Sequence, residues 1–546
     1  MTSMRRRQVL GWMGVGAAAP LLTACSSLGT TSAMDGTGVD LLYVGDTLDA
    51  RQPGPPVAPA TRLGPVSHLG QAPWMSGASA RQARAELNPL LDASLAGSVQ
   101  TGGYAVLGAL LEQLRQGAGA ENCLTLENGQ GWNGSGLAYL TQGSSGVQGS
   151  QMLGSEVRVS SDERVLWPQQ CAALYGQFGQ VVLGAGLAPE QASALGTPAY
   201  TVMRRGGIRI AVVGITDPYA HDQKALLKHW YQSLLPAFEQ ARREADLVVA
   251  LADVGTGPGL WLAERLTDAD LLLCARGQDF WPEPVMVRQA SGKQVPVLLA
   301  GNRASGVFRV NCRHFQGRWQ FTAHFFPAFE HNLTPAAKAH AAQLRLRLQQ
   351  QRAGHAAWLD QPLAQAPQAL WRRDTLGGSW DSLLQQALAD GSTLPVLLPG
   401  LRYDSPLAAG QAITREHLIS LTGSYPAPVV QVPAGQVRQV LENAAEQLFG
   451  APLLLDNSQD LPRWSGAPWQ LSYSPSGKRV SGITTVDGAC RTYGLAFASE
   501  AGEPLWQCVE AWLARQAPGW QLPALALPQV RYVQGHPGWH PRGLSS

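Results

Sequence analysis

The chain has 546 residues, a formal net charge of +2 and a hydrophobic fraction of 45%. This length predicts two to four domains of about 150 residues each, and the composition is that of a soluble globular chain. The near-neutral charge, with no basic stripe that contains aromatic residues, argues against nucleic-acid binding, so no nucleic-acid partner is expected.

The first 25 residues have the pattern of a bacterial lipoprotein signal peptide. Three arginines at positions 5–7 precede an apolar stretch, residues 9–22, which is followed by Thr23-Ala24-Cys25. The stretch is shorter than the about 20 residues that cross a bilayer as a helix. The arginines also fit a twin-arginine signal, although Sec-type signals carry arginines too. We therefore expect export to the periplasmic side of a bacterial membrane, where lipid on Cys25 anchors the protein.

Residues 26–38 are rich in Ser, Thr and Gly and are predicted to form a tether. A layered α/β domain is predicted over residues 39–332, with a Pro-, Gly- and Ala-rich insertion at 51–100, because strands alternate with helices. The predicted helices are Gly103–Arg115 and Lys224–Ala245, and the predicted strands are Cys123–Leu126, Gln180–Leu183, Ile208–Gly214, Leu247–Leu251, Asp270–Leu273, Val295–Leu299, Phe308–Asn311 and Trp319–Phe325.

The second half of the chain is predicted to form a separate unit. A polar helix at Pro335–Gln351 lies in a linker region, residues 333–369, and could separate two domains. Residues 370–535 have a mixed helix and strand pattern. Residues 536–546 are rich in Gly and Pro and are predicted to be a loose tail.

The cysteines and histidines indicate no further catalytic or metal signature. The six cysteines beyond Cys25 lie far apart and include no CxxC pair. Buried free thiols are therefore slightly favoured over disulfides, which an oxidising compartment permits. The sequence contains no GxSxG nucleophile elbow and no P-loop. His536 and His540 are four residues apart, but the Pro and Gly between them exclude a regular helix, so a tail is favoured over a metal site.

Several segments, in a consistent order along the chain, resemble one family. They are Gly102–Leu107, Trp132–Ser135, Asp270–Leu273, Ala300–Asn302, Phe326–Phe329 and Gly410–Leu418. The last one, Gly-Gln-Ala-Ile-Thr-Arg-Glu-His-Leu, is the most specific. Together they resemble the 5′-nucleotidase type of metallophosphoesterase, and most of all its SoxB branch, the thiosulfohydrolases of periplasmic sulfur oxidation.

The resemblance implies a fold and an activity. It implies a four-layer metallophosphatase-like domain joined by a linker helix to a C-terminal 5′-nucleotidase-type α/β domain. In the SoxB branch it implies hydrolysis of a sulfonate group from a sulfur carrier protein, with two manganese ions between the domains. A Sox-type sulfur carrier or a SoxB-type enzyme is therefore the expected partner.

The positions that match the family's metal ligands have mostly lost ligand side chains. Asp46 keeps the first ligand. The other positions hold Leu48 for a His, Gln130 for a bridging Asp, Ser161 followed by Asp162 in the Asn-His motif, Asp253 for a His, and Arg276 and Gln278 for the two His of the last motif. A guanidinium cannot coordinate a metal, and at close range it repels a dication. No metal cofactor is therefore expected. The alternative is manganese or zinc in a site rebuilt from Asp46, Asp253 and Asp279.

Other residues are candidates for the cleft between the domains. Arg402 and Tyr403 follow a predicted strand, and Trp469 and Tyr473 fall where nucleotidase relatives stack substrate rings, although core packing explains such aromatic residues equally well. Thr414, Glu416 and His417 are interpreted first as a helix cap.

Three functions remain open. The preferred hypothesis is a non-catalytic SoxB-like lipoprotein that keeps the cleft and binds a partner. The second is an active hydrolase, either a thiosulfohydrolase or a phosphoesterase. The third is a scaffold that stabilises a SoxB-type enzyme.

Overall fold

The computed structural model describes residues 36–54, 63–74, 100–219, 226–372, 374–466, 468–483, 488–494, 502–536 and 539. Cys25 and the predicted signal peptide lie outside the described residues, as do most of the tether and much of the 51–100 insertion. None of the helices in the described ranges is both long and apolar enough to cross a membrane.

Two six-stranded sheets form the centre of the N-terminal unit. The first has the order β12-β11-β1-β2-β3-β4 and the second β5-β6-β7-β8-β10-β9. The strands are β1 Gly38–Val44, β2 Cys123–Glu127, β3 Val157–Val159, β4 Val181–Leu183, β5 Tyr200–Arg205, β6 Ile208–Ile215, β7 Leu247–Asp253, β8 Leu271–Ala275, β9 Phe280–Arg288, β10 Gln294–Ala300, β11 Gly306–Phe315 and β12 Arg318–Pro327. Strands β1 to β4 run parallel, as do β6, β7, β8 and β10.

The sheets pack face to face and helices cover their outer faces. Leu41 and Leu126 of the first sheet share a core with Val212 and Leu273 of the second. Strands buried on both faces are nearly continuous apolar runs, which is why the sequence predicts them well. The helices of this unit are α1 Tyr104–Ala118, α2 Gly136–Leu140, α3 Ser144–Leu153, α4 Glu163–Leu166, α5 Cys171–Phe178, α6 Pro189–Leu195, α7 Leu227–Glu244 and α8 Thr256–Arg265. This arrangement confirms the predicted four-layer α/β fold.

A long helix, α9, spans Pro335–Leu359 and connects the two units. It is longer than the predicted Pro335–Gln351, because the Ala-rich residues after Gln351 contain no proline and continue the helix. Leu344 and Leu348 pack against α1. Nearer its C-terminal end, Arg352 contacts Glu416 of the second unit at 2.8 Å, so the helix contacts both units.

The C-terminal unit combines short sheets with helices around two cores. Its helices are α10 Ser379–Ala389, α11 Arg415–Ser420, α12 Val437–Phe449 and α13 Leu505–Leu513. Its strands are β13 Pro362–Gln365, β14 Leu397–Leu398, β15 Ala412–Thr414, β16 Val429–Pro433, β17 Arg463–Trp464, β18 Gln470–Ser472, β19 Val480–Ser481, β20 Ala489–Tyr493 and β21 Gln529–Arg531. One core surrounds Trp380 and Leu418, and the other surrounds Leu441 and Trp464.

Candidate functional site

Polar side chains meet at the carboxyl ends of the parallel strands of both sheets. They are Asp46 after β1, Gln130 after β2, Asp162 after β3, Asp217 after β6, Asp253 at the end of β7 and Arg276 after β8. Parallel strands direct their carboxyl ends to one edge of a sheet, which is where α/β folds place their ligand sites. Because the two sheets face each other, both contribute to one site.

The guanidinium of Arg276 lies among three carboxylates. Its Nη1 is 2.9 Å from Asp162 Oδ1 and 3.3 Å from Asp253 Oδ2, and its Nε is 2.7 Å from Asp217 Oδ2. The Arg276 side chain is only 14% exposed, and the three carboxylates are 4% exposed or less. We call these four residues the arginine cluster. Its centre is a cation supplied by the chain itself.

Burial and this cation set the protonation of the carboxyls in opposite directions. Burial raises the pKa of Asp253 to about 6 although Arg276 opposes the shift. Burial also raises the pKa of Asp217. For Asp162 burial is outweighed by Arg276 and by the Tyr403 and Gln130 hydrogen bonds, which together lower its pKa. The Arg276 pKa lies well above its ordinary value, because the three carboxylates outweigh its desolvation. Of the three carboxyls, Asp162 is thus the one whose ionised form is most favoured.

Asp46 lies beside the arginine cluster and binds backbone. Its Oδ1 accepts the N–H of Arg276 at 2.8 Å, and its Oδ2 accepts the N–H of Gln278 at 2.7 Å. Burial and the neighbouring Asp253 raise the Asp46 pKa to about 8. The carboxyl that matches the family's first ligand is therefore used to hold the loop after β8.

The backbone at these strand ends is left-handed at several residues with side chains. The φ angles are +42° at Asp46, +54° at Leu48, +50° at Gln130, +74° at Arg276 and +54° at Gln278. Left-handed conformations at non-glycine residues cost of order 1 kcal/mol or more each, and they concentrate at functional sites. These five are all positions that match the family's ligands.

Glu163, the first residue of α4, supports the loop after β3. Its Oε1 contacts Arg158 at 2.9 Å and accepts the N–H of Ser161 at 2.9 Å. The Ser161 hydroxyl in turn donates to Asp253 Oδ2 at 2.7 Å. Ser161, in place of a metal ligand, is thus a hydrogen-bond donor to the arginine cluster.

The C-terminal unit reaches into this site through Tyr403. The Tyr403 hydroxyl donates to Asp162 Oδ2 at 2.9 Å, and Gln130 Nε2 donates to the same carboxylate at 3.2 Å and to the Tyr403 oxygen at 3.2 Å. Nearby, Asn133 Nδ2 donates to the Gly423 carbonyl at 3.2 Å. Gln130, at the bridging-ligand position, is therefore part of the contact between the units.

Leu48, at another ligand position, is apolar and buried. It packs in the core of the C-terminal unit with residues such as Leu401 and Tyr403. The Leu48 side chain therefore joins the units through apolar burial.

The residues present do not fit a two-metal centre. Such a centre needs several oxygen or nitrogen ligands around each cation, but the carboxylates here surround a guanidinium that repels cations. Within the described residues, no group of three or more His, Cys, Asp or Glu is arranged to hold a metal ion. Asp46, Asp253 and Asp279 are among the described residues and belong to no such group. The Asp279 carboxylate accepts a hydrogen bond from the Thr256 hydroxyl.

The other predicted cleft residues lie inside the C-terminal unit. The Arg402 guanidinium contacts Asp460 at 3.2 Å and Asp456 at 3.6 Å. Trp469 and Tyr473 belong to the core around Leu441. Of the four cleft candidates, the structure brings Tyr403 to the arginine cluster.

The Gly410–Leu418 segment forms β15 and the start of α11. The His417 Nδ1 accepts the N–H of Thr414 at 3.0 Å, which is a cap of the kind interpreted from the sequence. Glu416 Oε1 accepts the N–H of Gly136 at 2.7 Å, across the two units. The segment therefore both starts a helix and joins the units.

Asp217 is the member of the arginine cluster that sequence reasoning missed. It follows β6 by two residues, just as Asp253 ends the adjacent β7. The resemblance pointed to Asp253 through a family motif and gives no ligand at Asp217; the signal for Asp217 is an aspartate that closely follows a buried apolar strand.

No family model and no curated protein matches this sequence, but solved structures match the fold. Thermus thermophilus SoxB, a sulfate thiohydrolase in complex with glycerol, is 24% identical, with a TM-score of 0.78 over 90% of this chain and 96% of that chain. The 5′-nucleotidase precursor from the same organism is 17% identical, with a TM-score of 0.65 over 90% and 99%. The Candida albicans 5′-nucleotidase is 12% identical, with a TM-score of 0.55 over 89% and 99%. The chain therefore has the two-domain fold that SoxB shares with the 5′-nucleotidases.

Proposed function

We propose that this protein is a non-catalytic member of the SoxB branch, held at the periplasmic face of a bacterial membrane by lipid on Cys25. Its task is to bind a partner of sulfur oxidation rather than to hydrolyse a substrate. The partner is a Sox-type sulfur carrier protein or a SoxB-type enzyme, as the resemblance to SoxB implies.

The arginine cluster carries this proposal. Two-metal hydrolysis relies on cations that activate water and stabilise the leaving group. Here Arg276 occupies the midst of the carboxylates, and its charge cannot be removed by deprotonation at accessible pH. Arg276 has five N–H donors and no lone pair for a metal, so it cannot replace either ion in activating water.

The contacts between the units support a binding role as well. Tyr403 of the C-terminal unit donates to Asp162, and Leu48 of the N-terminal unit packs in the opposite core. A substrate that reached the strand ends would have to displace both. The outer surface of the domain pair remains available to a protein partner.

Metal content and hydrolysis test the non-catalytic role. The mature protein is purified in its native state, without denaturant or chelator, and is analysed for manganese and zinc. It is then assayed with a nucleoside 5′-monophosphate and with a carrier protein that bears a cysteine S-thiosulfonate. We expect far less than one metal per chain and no turnover. Near-stoichiometric metal, with hydrolysis that a chelator abolishes, would contradict the proposal.

An active hydrolase is the second candidate, favoured by the two buried carboxyls with raised pKa values, Asp46 and Asp253. Shifted carboxyls of this kind concentrate at catalytic sites. On that hypothesis an Asp46→Ala variant loses turnover while a Glu283→Ala variant, at an exposed position of β9, keeps it. Hydrolysis that survives Asp46→Ala excludes a site rebuilt on Asp46.

Anchoring and partner choice need a separate test in the native cell. Replacement of Cys25 by Ala should move the protein from the membrane fraction to the soluble periplasmic fraction. Co-purification from detergent-solubilised membranes should recover a sulfur carrier or a SoxB-type enzyme. Recovery of the enzyme alone favours the scaffold role over carrier binding.

A further inference from the structure

A cavity lies between the two units, apart from the arginine cluster. It has a volume of about 350 Å³ and is lined by both units, with Asp49, Ser135 and Arg303 on one side and Thr414 and His417 on the other. Its lining includes neither Arg276 nor the three carboxylates around it. The volume lies within the about 300–1,000 Å³ range of small-molecule sites.

Most charges in the lining are already paired with each other. Arg51 contacts Asp49 at 3.1 Å, and the Asp49 carboxylate also accepts from the Ser145 hydroxyl at 2.7 Å. Arg352 contacts both Glu416, at 2.8 Å, and Asp360. The acidic side chains of the cavity therefore have basic partners of their own.

Arg303 is the exception. Its guanidinium makes one hydrogen bond, from Nη1 to the Asp404 carbonyl at 3.1 Å. No carboxylate of the described residues lies within ion-pair distance of it. The Nε and Nη2 donors make no hydrogen bond to the described residues. Two such donors on one edge of a guanidinium can bind two oxygens of one anion. Burial lowers the pKa of Arg303, although the negative charges of Asp404 and Glu416 oppose the shift.

His417 adds a neutral donor to the same lining. Because its Nδ1 accepts the N–H of Thr414, we assign the ring hydrogen to Nε2. Burial lowers the His417 pKa to about 4, so the ring is neutral at physiological pH. The Nε2–H has no hydrogen-bond partner in the described part of the chain.

We propose that this cavity binds a small organic anion, whose carboxylate, sulfonate or phosphate group pairs with the guanidinium of Arg303 and accepts a hydrogen bond from His417. The anion pairs directly with a guanidinium that Asp404 and Glu416 influence only from beyond ion-pair distance, and the paired charges around it form the rest of the wall. The site does not depend on the arginine cluster, so it stands whether or not the protein hydrolyses a substrate.

Calorimetric titration of the full mature chain tests the site, with sodium succinate and inorganic phosphate as probes at constant ionic strength. We expect saturable binding of at least one probe. Arg303→Gln should weaken it at least tenfold, and Arg303→Lys, which keeps the charge but not the two-donor edge, should weaken it less. Arg318→Gln is the matched control, because it removes the same charge from an exposed position on β12, outside the cavity lining.

Two results would overturn the proposal. The first is the lack of saturable binding of either probe by the wild type up to about 10 mM. The second is binding of equal strength in the wild type, Arg303→Gln and Arg303→Lys. Thermal unfolding without probe shows whether each variant is folded, and Arg303→Lys provides the comparison if Arg303→Gln is not. Metal analysis of the same preparations tests the proposed function separately, because metal content bears on the non-catalytic role and probe binding bears on the anion site.

Discussion

The hydroxyl of Tyr403 donates a hydrogen bond to the carboxylate of Asp162 across the two units, at 2.9 Å. Asp162 also pairs with Arg276 at 2.9 Å. One carboxylate therefore links the internal cation of the N-terminal unit to the C-terminal unit.

Loss of that hydroxyl should destabilise the protein modestly. Tyr403→Phe removes the donor to Asp162 and an acceptor of Gln130, both buried, so we expect a loss of about 1–2 kcal/mol in the free energy of unfolding. Tyr231→Phe is the control, since the Tyr231 hydroxyl lies 3.5 Å from its carbonyl partner. Denaturant unfolding of both variants measures the difference, and equal stabilities would show that the contact contributes nothing.

Removal of the Arg276 guanidinium should lower the free energy of unfolding more than loss of the Tyr403 hydroxyl does. Arg276→Ala leaves three buried carboxylates without their shared partner, and we expect a loss of about 3–5 kcal/mol. The comparison is Arg209→Ala, whose ion pair with Asp246 involves an arginine that is 42% exposed; exposed pairs of this kind contribute little to stability. Urea unfolding checks both, and a loss below that of Arg209→Ala would contradict the central role of Arg276.

Restoration of a single family ligand should not restore metal binding. Leu48→His puts an imidazole among apolar side chains, and we expect a loss of about 2 kcal/mol in the free energy of unfolding. Added Mn²⁺ should leave the melting temperature of the variant unchanged, because Arg276 still repels the ion. The control is Leu346→His, at a position on α9 that is 60% exposed. A melting temperature that rises with Mn²⁺ would indicate that the site accepts metal after one exchange.

The His417 cap should make stability depend on pH. Its pKa is lowered to about 4 in the folded protein, mainly by burial, against 6.5 in an unfolded chain. The unfolded state therefore binds more protons between these values, and stability falls as pH drops from about 6.5 to 4. One proton corresponds to about 1.4 kcal/mol per pH unit at most.

His417→Asn isolates this effect, because an asparagine oxygen can accept the Thr414 N–H without titrating. Urea unfolding of the wild type and the variant is compared from pH 7.5 to 4.5, so that the other titrating groups cancel in the difference. The wild type should lose more stability toward low pH. Parallel curves would show that His417 does not contribute.

The sequence predicts the layered fold well where strands are buried on both faces. Ile208–Gly214 and Leu247–Leu251 are continuous apolar runs, and they form β6 and β7 with only small changes at their ends. Strand β9, Phe280–Arg288, was not predicted, because it lies at an edge of its sheet and mixes Pro, Glu and exposed residues with apolar ones. Patterns of hydrophobicity identify buried strands, and edge strands lack them.

The candidate site was predictable in position but not in its contacts. The match to the family's motifs identified Arg276 and Gln130 as residues that replace metal ligands of the family. The partner Asp217 was overlooked, since the family pattern has no ligand there. The contact between Asp162 and Tyr403 joins residues 241 positions apart and depends on how two units meet, which no local pattern encodes.

The left-handed backbone at Asp46, Gln130, Arg276 and Gln278 has a consequence for engineering. Loops of this shape usually persist because the surrounding structure holds them, and here they carry the residues at the positions that the resemblance matches to metal ligands. A new side chain at one of these positions therefore inherits a turn that is already formed. A designer who wished to install a metal centre would exchange side chains and leave every loop length and turn as it stands.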